Sequence, residues 1–419
     1  MQINASPVRG TKDFLPAEMQ VRDTVLKIIT DTYKSFGFSH IQAPIMEDIN
    51  RLDKSDGGEN LALIFKILKR GEKLNIATAQ KENDLADMGL RYDLTVPLAR
   101  YYANNRAVLP KPFKALHVDR VFRAERPQKG RLREFYQCDI DILGDASDQA
   151  EKELIYVTSQ AMLNIGFKGF KIRVNDRRLL NDMVLTCGFA ADQAASVCIV
   201  FDKMDKVGLD GVKAELEAKG FDLSAIQKFV DILSNKDFGS LAFAKTYASD
   251  PAIVDQLQSV LDVSNALAKG AYSVVFDPSL VRGQGYYTGM VFEISCGDYA
   301  SSVGGGGRYD KMVGKELGED VPAVGFSIGF ERICDVLQEH PEILKEESPK
   351  MLALIYSDSD DFAAVMQKAE ELRAAGFWVN IQKRAKKLGK QLDNLIANGT
   401  GYSFIFGEYQ EPKKLEAKS

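Results

Sequence analysis

Arg123-Ala-Glu-Arg-Pro-Gln-Lys-Gly-Arg-Leu-Arg-Glu-Phe-Tyr-Gln137 decides how this chain is read. Arg120 lies just upstream, and Arg120, Arg123, Arg126, Arg131 and Arg133 alternate with the carboxylates Glu125 and Glu134. Apolar Val121-Phe122 enter the stretch, Phe135-Tyr136 close it, and Pro-Gln-Lys-Gly makes a turn at its tip. The pattern predicts two antiparallel strands joined by a charged loop, with guanidinium groups projecting from one face. Such a pair does not suit a core, because an unpaired buried guanidinium costs on the order of several kcal/mol. It suits a polyphosphate, since arginine forks match phosphate oxygens two at a time, which lysine cannot do. A solvated, salt-bridged hairpin is the plainer alternative.

Composition narrows the class. A chain of 419 residues allows two or three domains, and 45% hydrophobic with 27% charged residues is ordinary for a soluble globular protein. The N-terminus lacks the basic-then-apolar layout of a signal peptide, and no apolar run approaches a membrane span. The cysteines, Cys138, Cys187, Cys198, Cys296 and Cys334, form no CxxC pair, which predicts a reducing cytoplasm and no disulfide framework. His40, His117 and His340 form no HxH or HxxxH pair, so no metal centre built from His or Cys clusters is expected. The formal net charge of −5 means that any nucleic-acid partner must meet local basic patches.

Along the chain, an Arg9-Gly-Thr-Lys-Asp-Phe-Leu-Pro16 loop leads into a helix with an apolar stripe through Val25, Ile29, Tyr33 and Phe36, stopped at Gly37. Phe38–Pro44 reads as a short strand, residues 61–80 as strand and loop, and Leu90–Pro97 as a helix entrance. From 172 to 260 helical periodicity dominates and predicts a helical insertion. Strands return at Tyr272–Phe276, Gly289–Ser295 and Val324–Gly329, the last entering a helix at Phe330. Beyond a charged linker, Leu352–Tyr356, Ala363–Ala375, Phe377–Ile381, Lys390–Ala397 and Tyr402–Phe406 alternate strand and helix as in a small parallel α/β domain.

Three further segments carry chemistry. Gly304-Gly-Gly-Gly-Arg-Tyr-Asp310 lets backbone approach a ligand while Arg308 supplies charge, the alternative being a tight turn with a solvated arginine. Gly325-Phe-Ser-Ile-Gly-Phe-Glu-Arg332 puts Arg332 in the first turn of a helix, where anions are favoured. Leu280-Val-Arg-Gly-Gln-Gly-Tyr-Tyr-Thr-Gly289 has the wrong spacing for a dinucleotide loop; its tandem tyrosines suit an aromatic pocket with hydroxyls. No GxxxxGK[ST] loop occurs.

Together these pieces resemble the class II aminoacyl-tRNA synthetases. The arginine hairpin is similar to their motif 2, Gly325–Arg332 to motif 3, and Phe38–Pro44 to motif 1. Leu90-Arg-Tyr-Asp-Leu-Thr-Val-Pro97, Arg133-Glu-Phe-Tyr-Gln-Cys-Asp-Ile-Asp-Ile-Leu-Gly144 and Arg282-Gly-x-x-Tyr-Tyr-Thr-Gly289 resemble the histidyl-tRNA synthetase family in particular. The resemblance implies an α+β catalytic domain on an antiparallel sheet (1–171 and 261–340), a helical insertion domain (172–260) and a C-terminal α/β anticodon-binding domain (349–419), possibly shortened. It also implies a homodimer that uses ATP, Mg2+, L-histidine and tRNA(His).

By motif position, Arg123 and Arg282 are the expected catalytic residues. Arg123, Glu125, Arg308 and Arg332 are expected to bind ATP, with Glu125 taking the adenine amino group. Asp93, Thr95 and Gln137 are expected at the histidine ammonium, and Asp141, Tyr286 and Tyr287 at the imidazole. Arg126, Gln128 and Lys129 are expected at the tRNA acceptor end, and Lys386 and Lys387 at the anticodon stem. Asp93 could instead simply cap a helix. Where many relatives read Arg-Gly-Leu-Asp-Tyr-Tyr, this chain has Gln284-Gly285 before its tyrosines. Two other readings compete: a non-catalytic histidine-binding paralogue acting as regulatory subunit of an ATP phosphoribosyltransferase, and a sister synthetase for proline, threonine or glycine. The retained arginines and C-terminal domain argue against the first, and the Arg-Gly-x-x-Tyr-Tyr segment against the second.

Overall fold

The computed structural model describes residues 5–53, 58–126, 131–282, 285–297, 299–345 and 350–416. The chain divides into two compact units, one of Val8–Thr11 and Ile29–Val336, the other of Met1–Pro7, Lys12–Ile28 and Leu337–Ser419. The first helix, Pro16–Ser35, begins at its proline and stops before Gly37, whose φ of +83° is the left-handed conformation of a helix stop.

The larger unit is organised by eleven strands: β1 (Ser39–Ile41), β2 (Met46–Asp48), β3 (Lys66–Leu68), β4 (Ala86–Leu90), β5 (Phe113–Phe122), β6 (Glu134–Leu143), β7 (Lys171–Asp176), β8 (Ser273–Phe276), β9 (Met290–Cys296), β10 (Tyr299–Arg308) and β11 (Ala323–Gly329). Eight of them form one sheet in the order β1-β5-β6-β11-β10-β9-β7-β8. Its interior is antiparallel throughout, and only the outer pairs β1–β5 and β7–β8 are parallel. The small sheet β2-β4-β3 stands apart. The arginine hairpin is β5–β6, in register from Phe113↔Leu143 to Phe122↔Glu134.

Two expectations need correction. The stretch read as helical from 172 opens on β7, a strand of the large sheet paired with β8 and β9; helices begin only at Arg177. Gly304–Gly307, read as loop or turn, lie inside β10, paired on both sides. Glycine is depleted in strands because it packs nothing. Here the missing side chains make room, as the site demonstrates.

The smaller unit carries β12 (Met351–Tyr356), β13 (Trp378–Lys383), β14 (Tyr402–Ile405) and β15 (Lys413–Lys414) in the order β13-β12-β14-β15. β12 is parallel to both neighbours, as helix-linked strands require, and β15 closes the edge antiparallel. Leu352, Leu354, Val365 and Phe404 fill one side of this sheet and Ile355, Leu395 and Ile405 the other. Among the described residues, no helix is long and apolar enough to cross a membrane.

Candidate active site

Strand alternation builds the site. On one face of the sheet the register aligns a row of residues: His117 on β5, Asp139 on β6, Ser327 on β11, Gly305 on β10, Glu293 on β9 and Arg173 on β7. A neighbouring row runs Ala115, Asp141, Gly325, Gly307, Val291 and Asn175. The glycines sink the floor, and the polar residues beside them stand around it. The result is a cavity of about 280 Å³.

Nine of the expected residues line it: Thr95, Arg123, Glu125, Gln137, Asp141, Arg282, Tyr286, Tyr287 and Arg332. Arg123 donates from Nε to the Tyr92 carbonyl (2.9 Å), and its guanidinium lies 5.2 Å from the Phe135 ring centroid. Arg332 donates to the Ser302 carbonyl; burial, then Arg131 and Arg282, lower its pKa. Several cations crowded this way await an anion. A Cβ on Gly305 would lie 2.5 Å from Cζ of Arg282, so that guanidinium rests directly on the glycine. Tyr287 occupies the same space over Gly307, where a Cβ would meet its Cδ1 at 2.9 Å.

The same cavity also carries carboxylates. Tyr309 donates to Asp141 Oδ1 (2.6 Å), and a Cβ on Gly325 would meet Asp141 Cγ at 2.9 Å. Burial, reinforced by Asp139, holds the Asp141 carboxyl well above the usual carboxylate range. Asp139 accepts from Gln137 Nε2 (3.2 Å) and lies beside Ser327; burial pushes it up to about 7. Asp93 stands behind the cavity wall: its Oδ1 accepts from the Val96 N–H (3.1 Å), as a helix cap would, while Oδ2 is buried with no protein partner. Burial raises it to about 6, against the pull of the Val96 N–H and Arg123. Tyr286 packs on Tyr287 with ring centroids 4.9 Å apart, and Thr95 bonds its hydroxyl.

Arg308 is the residue that the structure moves. It points to the other face of β10, one position past Gly307, where its Nε and Nη2 pair with both oxygens of Glu151 (2.6 Å each). Asp310 and the carbonyls of Asp145 and Ser147 take its remaining donors, so it fixes the sheet to a helix and leaves nothing for a ligand. The hairpin arginines likewise do not share one face. Arg120 pairs outward with Glu134, and Arg133 binds the carbonyls of Glu125 and Arg9. Arg126 is exposed, whereas Gln128, Lys129 and Gln284 lie outside the described residues. Lys386 and Lys387 are exposed on the loop after β13; of their basic neighbours, Lys383 pairs with Asp358 and Arg384 with Glu408.

Sequence reading missed Asp139, Tyr309, Ser327 and Glu331, all on the cavity wall; Arg131, one of the hairpin arginines, lines it too. Asp139 was within reach, since Gln137, Asp139 and Asp141 share one face of a strand by its period of two. It also missed Arg91. That fully buried side chain donates to the Ala43 carbonyl (2.9 Å) and the Arg120 carbonyl (2.8 Å) and pairs with Asp119 (2.7 Å). It thereby ties the turn at Pro44 to β5 and sets the path of Tyr92 and Asp93.

A sunken antiparallel sheet bearing an arginine hairpin and a strand-to-helix arginine is the fold of the class II aminoacyl-tRNA synthetases. A family model described as histidyl-tRNA synthetase matches residues 10–333. The chain is 42% identical to the histidine--tRNA ligase of Leifsonia xyli, over 97% of this chain and 96% of that one. It is 35% identical to that of Bacteroides fragilis, over 96% and 91%. The crystal structure of histidyl-tRNA synthetase from Nostoc superposes with a TM-score of 0.77 at 27% identity, covering 96% of this chain and 91% of that one. A Bacillus halodurans protein described as an ATP phosphoribosyltransferase regulatory subunit/histidyl-tRNA synthetase shares the fold (TM-score 0.75, 19% identity, covering 94% and 97%). The chain belongs to the histidyl-tRNA synthetase family.

Proposed function

We propose that this chain is a histidine–tRNA ligase, activating histidine with ATP and passing the acyl group to the terminal ribose of tRNA(His). The observation that carries this reading is one cavity lined both by Arg123, Arg282 and Arg332 and by the paired carboxylates Asp139 and Asp141. A histidine carboxylate oxygen, already ionised, attacks the α-phosphorus of ATP; the bond to the bridging oxygen breaks and pyrophosphate leaves. Arg123 and Arg282 hold the α-phosphate and stabilise charge as it develops there, and Arg332 holds the γ-phosphate. Phe135 gives the purine an apolar face, and Glu125 takes its amino group. Arg308 has no part in this, since Glu151, Asp310 and the carbonyls of Asp145 and Ser147 together take its donors. When bound, Mg2+ would neutralise triphosphate charge, and Glu331 on the cavity wall would be a carboxylate to hold it.

Histidine recognition falls to the carboxylates and tyrosines of the cavity. Asp93, Thr95 and Gln137 meet the α-ammonium, with Asp139 beside them. Asp141, steered by Tyr309, accepts the imidazole N–H, and Tyr287 with Tyr286 completes the ring's hydrogen bonds. The remaining assignments follow the same reading: Arg126 contacts the acceptor end, and Lys386 and Lys387 the anticodon stem. The large sheet with its flanking helices forms the catalytic domain, the helices between β7 and β8 the insertion, and 349–419 the anticodon-binding domain. The protein works as a cytoplasmic homodimer, for which the exposed Met46, Leu68 and Met88 of the small sheet offer apolar surface. Histidine-dependent exchange of pyrophosphate into ATP tests the central step.

The raised acids give a pH prediction. In free protein, Asp139 keeps its proton up to about pH 7 and Asp93 up to about pH 6. Their unfolded counterparts ionise near 4, so both groups cost stability increasingly as pH rises from about 4 to 7. An arriving ammonium favours the ionised form, so binding expels protons in that window. Calorimetry near pH 7 in buffers of different ionisation enthalpy should detect proton release with histidine, and affinity should increase from pH 6 to 8. Asp139→Asn should reduce the release; an unchanged proton count would contradict the assignment.

A further inference from the structure

Glu293 adjoins the site without any role assigned above. We propose that Glu293 is the positioning residue for Arg282, holding its guanidinium over Gly305 in the orientation that receives the α-phosphate; this rests on the reading of Arg282 given above. Glu293 is the neighbour of Gly305 across the β9–β10 ladder, on the cavity face. Its Oε2 takes Arg282 Nη1 at 3.2 Å, and its Oε1 takes Arg173 Nη1 at 3.2 Å. Arg173 is fixed in turn by Asp277 (2.6 Å to Nε) and the Ser279 hydroxyl (3.1 Å to Nη2). The carboxylate is thus anchored from behind, and one of its oxygens aims Arg282.

The form of the contact separates this role from a structural pair. Arg308 engages both oxygens of Glu151 at 2.6 Å and has no donor to spare. Arg282 meets Glu293 through a single nitrogen and also bonds the Tyr287 hydroxyl, which still leaves donors on its fork for a phosphate. Aim is needed here. Arg282 leaves the chain from a left-handed backbone (φ +58°), and a second cavity of about 240 Å³ touches it from behind. Asp202 and Asp205 line that cavity, and Asp202 attracts Arg282 electrostatically. With Glu293 neutral, the guanidinium has both room and a competing carboxylate to leave its seat on Gly305.

Glu293→Gln keeps size and removes the charge. Its turnover in histidine-dependent pyrophosphate exchange should fall by about tenfold or more, with KM for histidine and melting temperature near wild type. In the Arg282→Ala background the same substitution should add little further loss, because the two act as one unit. Wild-type turnover in Glu293→Gln, or multiplied losses in the double variant, would overturn the proposal. So would a variant that melts lower and binds histidine poorly, which would make Glu293 a structural residue. If Arg282→Ala itself exchanges at the wild-type rate, the reading of Arg282 falls; if it is inactive while Glu293→Gln is not, Glu293 alone falls.

Discussion

Arg282→Ala loses about 10²–10³-fold in the turnover of histidine-dependent pyrophosphate exchange, with histidine affinity close to wild type. The geometry sets both halves of that expectation. The guanidinium rests on Gly305 in the cavity floor and pairs with Glu293, not with the aspartates proposed to hold the amino acid. In the proposed role it meets the α-phosphate, whose charge grows as the carboxylate attacks, so the bond would strengthen in the transition state and its loss would appear in turnover. Arg123 and Arg332 remain to bind ATP. Exchange kinetics with calorimetric histidine binding separate the two effects. Equal losses in turnover and in histidine affinity would contradict the role given to Arg282.

Asp141→Ala acts on the other substrate. Its kcat/KM for histidine should fall by about 10²–10³-fold, mostly through KM, while KM for ATP changes little. Asp141 is buried, steered by the Tyr309 hydroxyl, and admitted only because position 325 is glycine. Deleting it leaves that hydroxyl without its acceptor and, in the proposed role, the imidazole N–H as well; the cost of unpaired buried donors would give such a pocket its selectivity. Asp141→Asn, which restores an acceptor without charge, should recover part of the loss. A histidine KM unchanged in Asp141→Ala would remove Asp141 from the imidazole site.

Much of this was legible in the sequence, and the reasons are local. β5, β6, β9 and β11 announce themselves through apolar runs and a polar tip, and Arg123, Arg282 and Arg332 through their motifs. What escaped depends on cross-strand register. Gly304–Gly307 look like a loop because strands seldom contain glycine; the side chains of Arg282 and Tyr287, arriving from a distant segment, justify them. Once β10 is known to be a strand, Arg308 falls on the face opposite Gly307, and its expected place at the phosphates goes with it. Glu293 and Arg173 adjoin the site only because β9 and β7 pair in this register, which no spacing along the chain encodes. The acidic residues beside the binding residues, Asp139 above all, required only the period of two already evident in β6.

Pyrophosphate exchange measured with each of the twenty amino acids is the decisive measurement. Histidine alone should re-form ATP. Exchange driven by proline, threonine or glycine, or none with any amino acid, would contradict it.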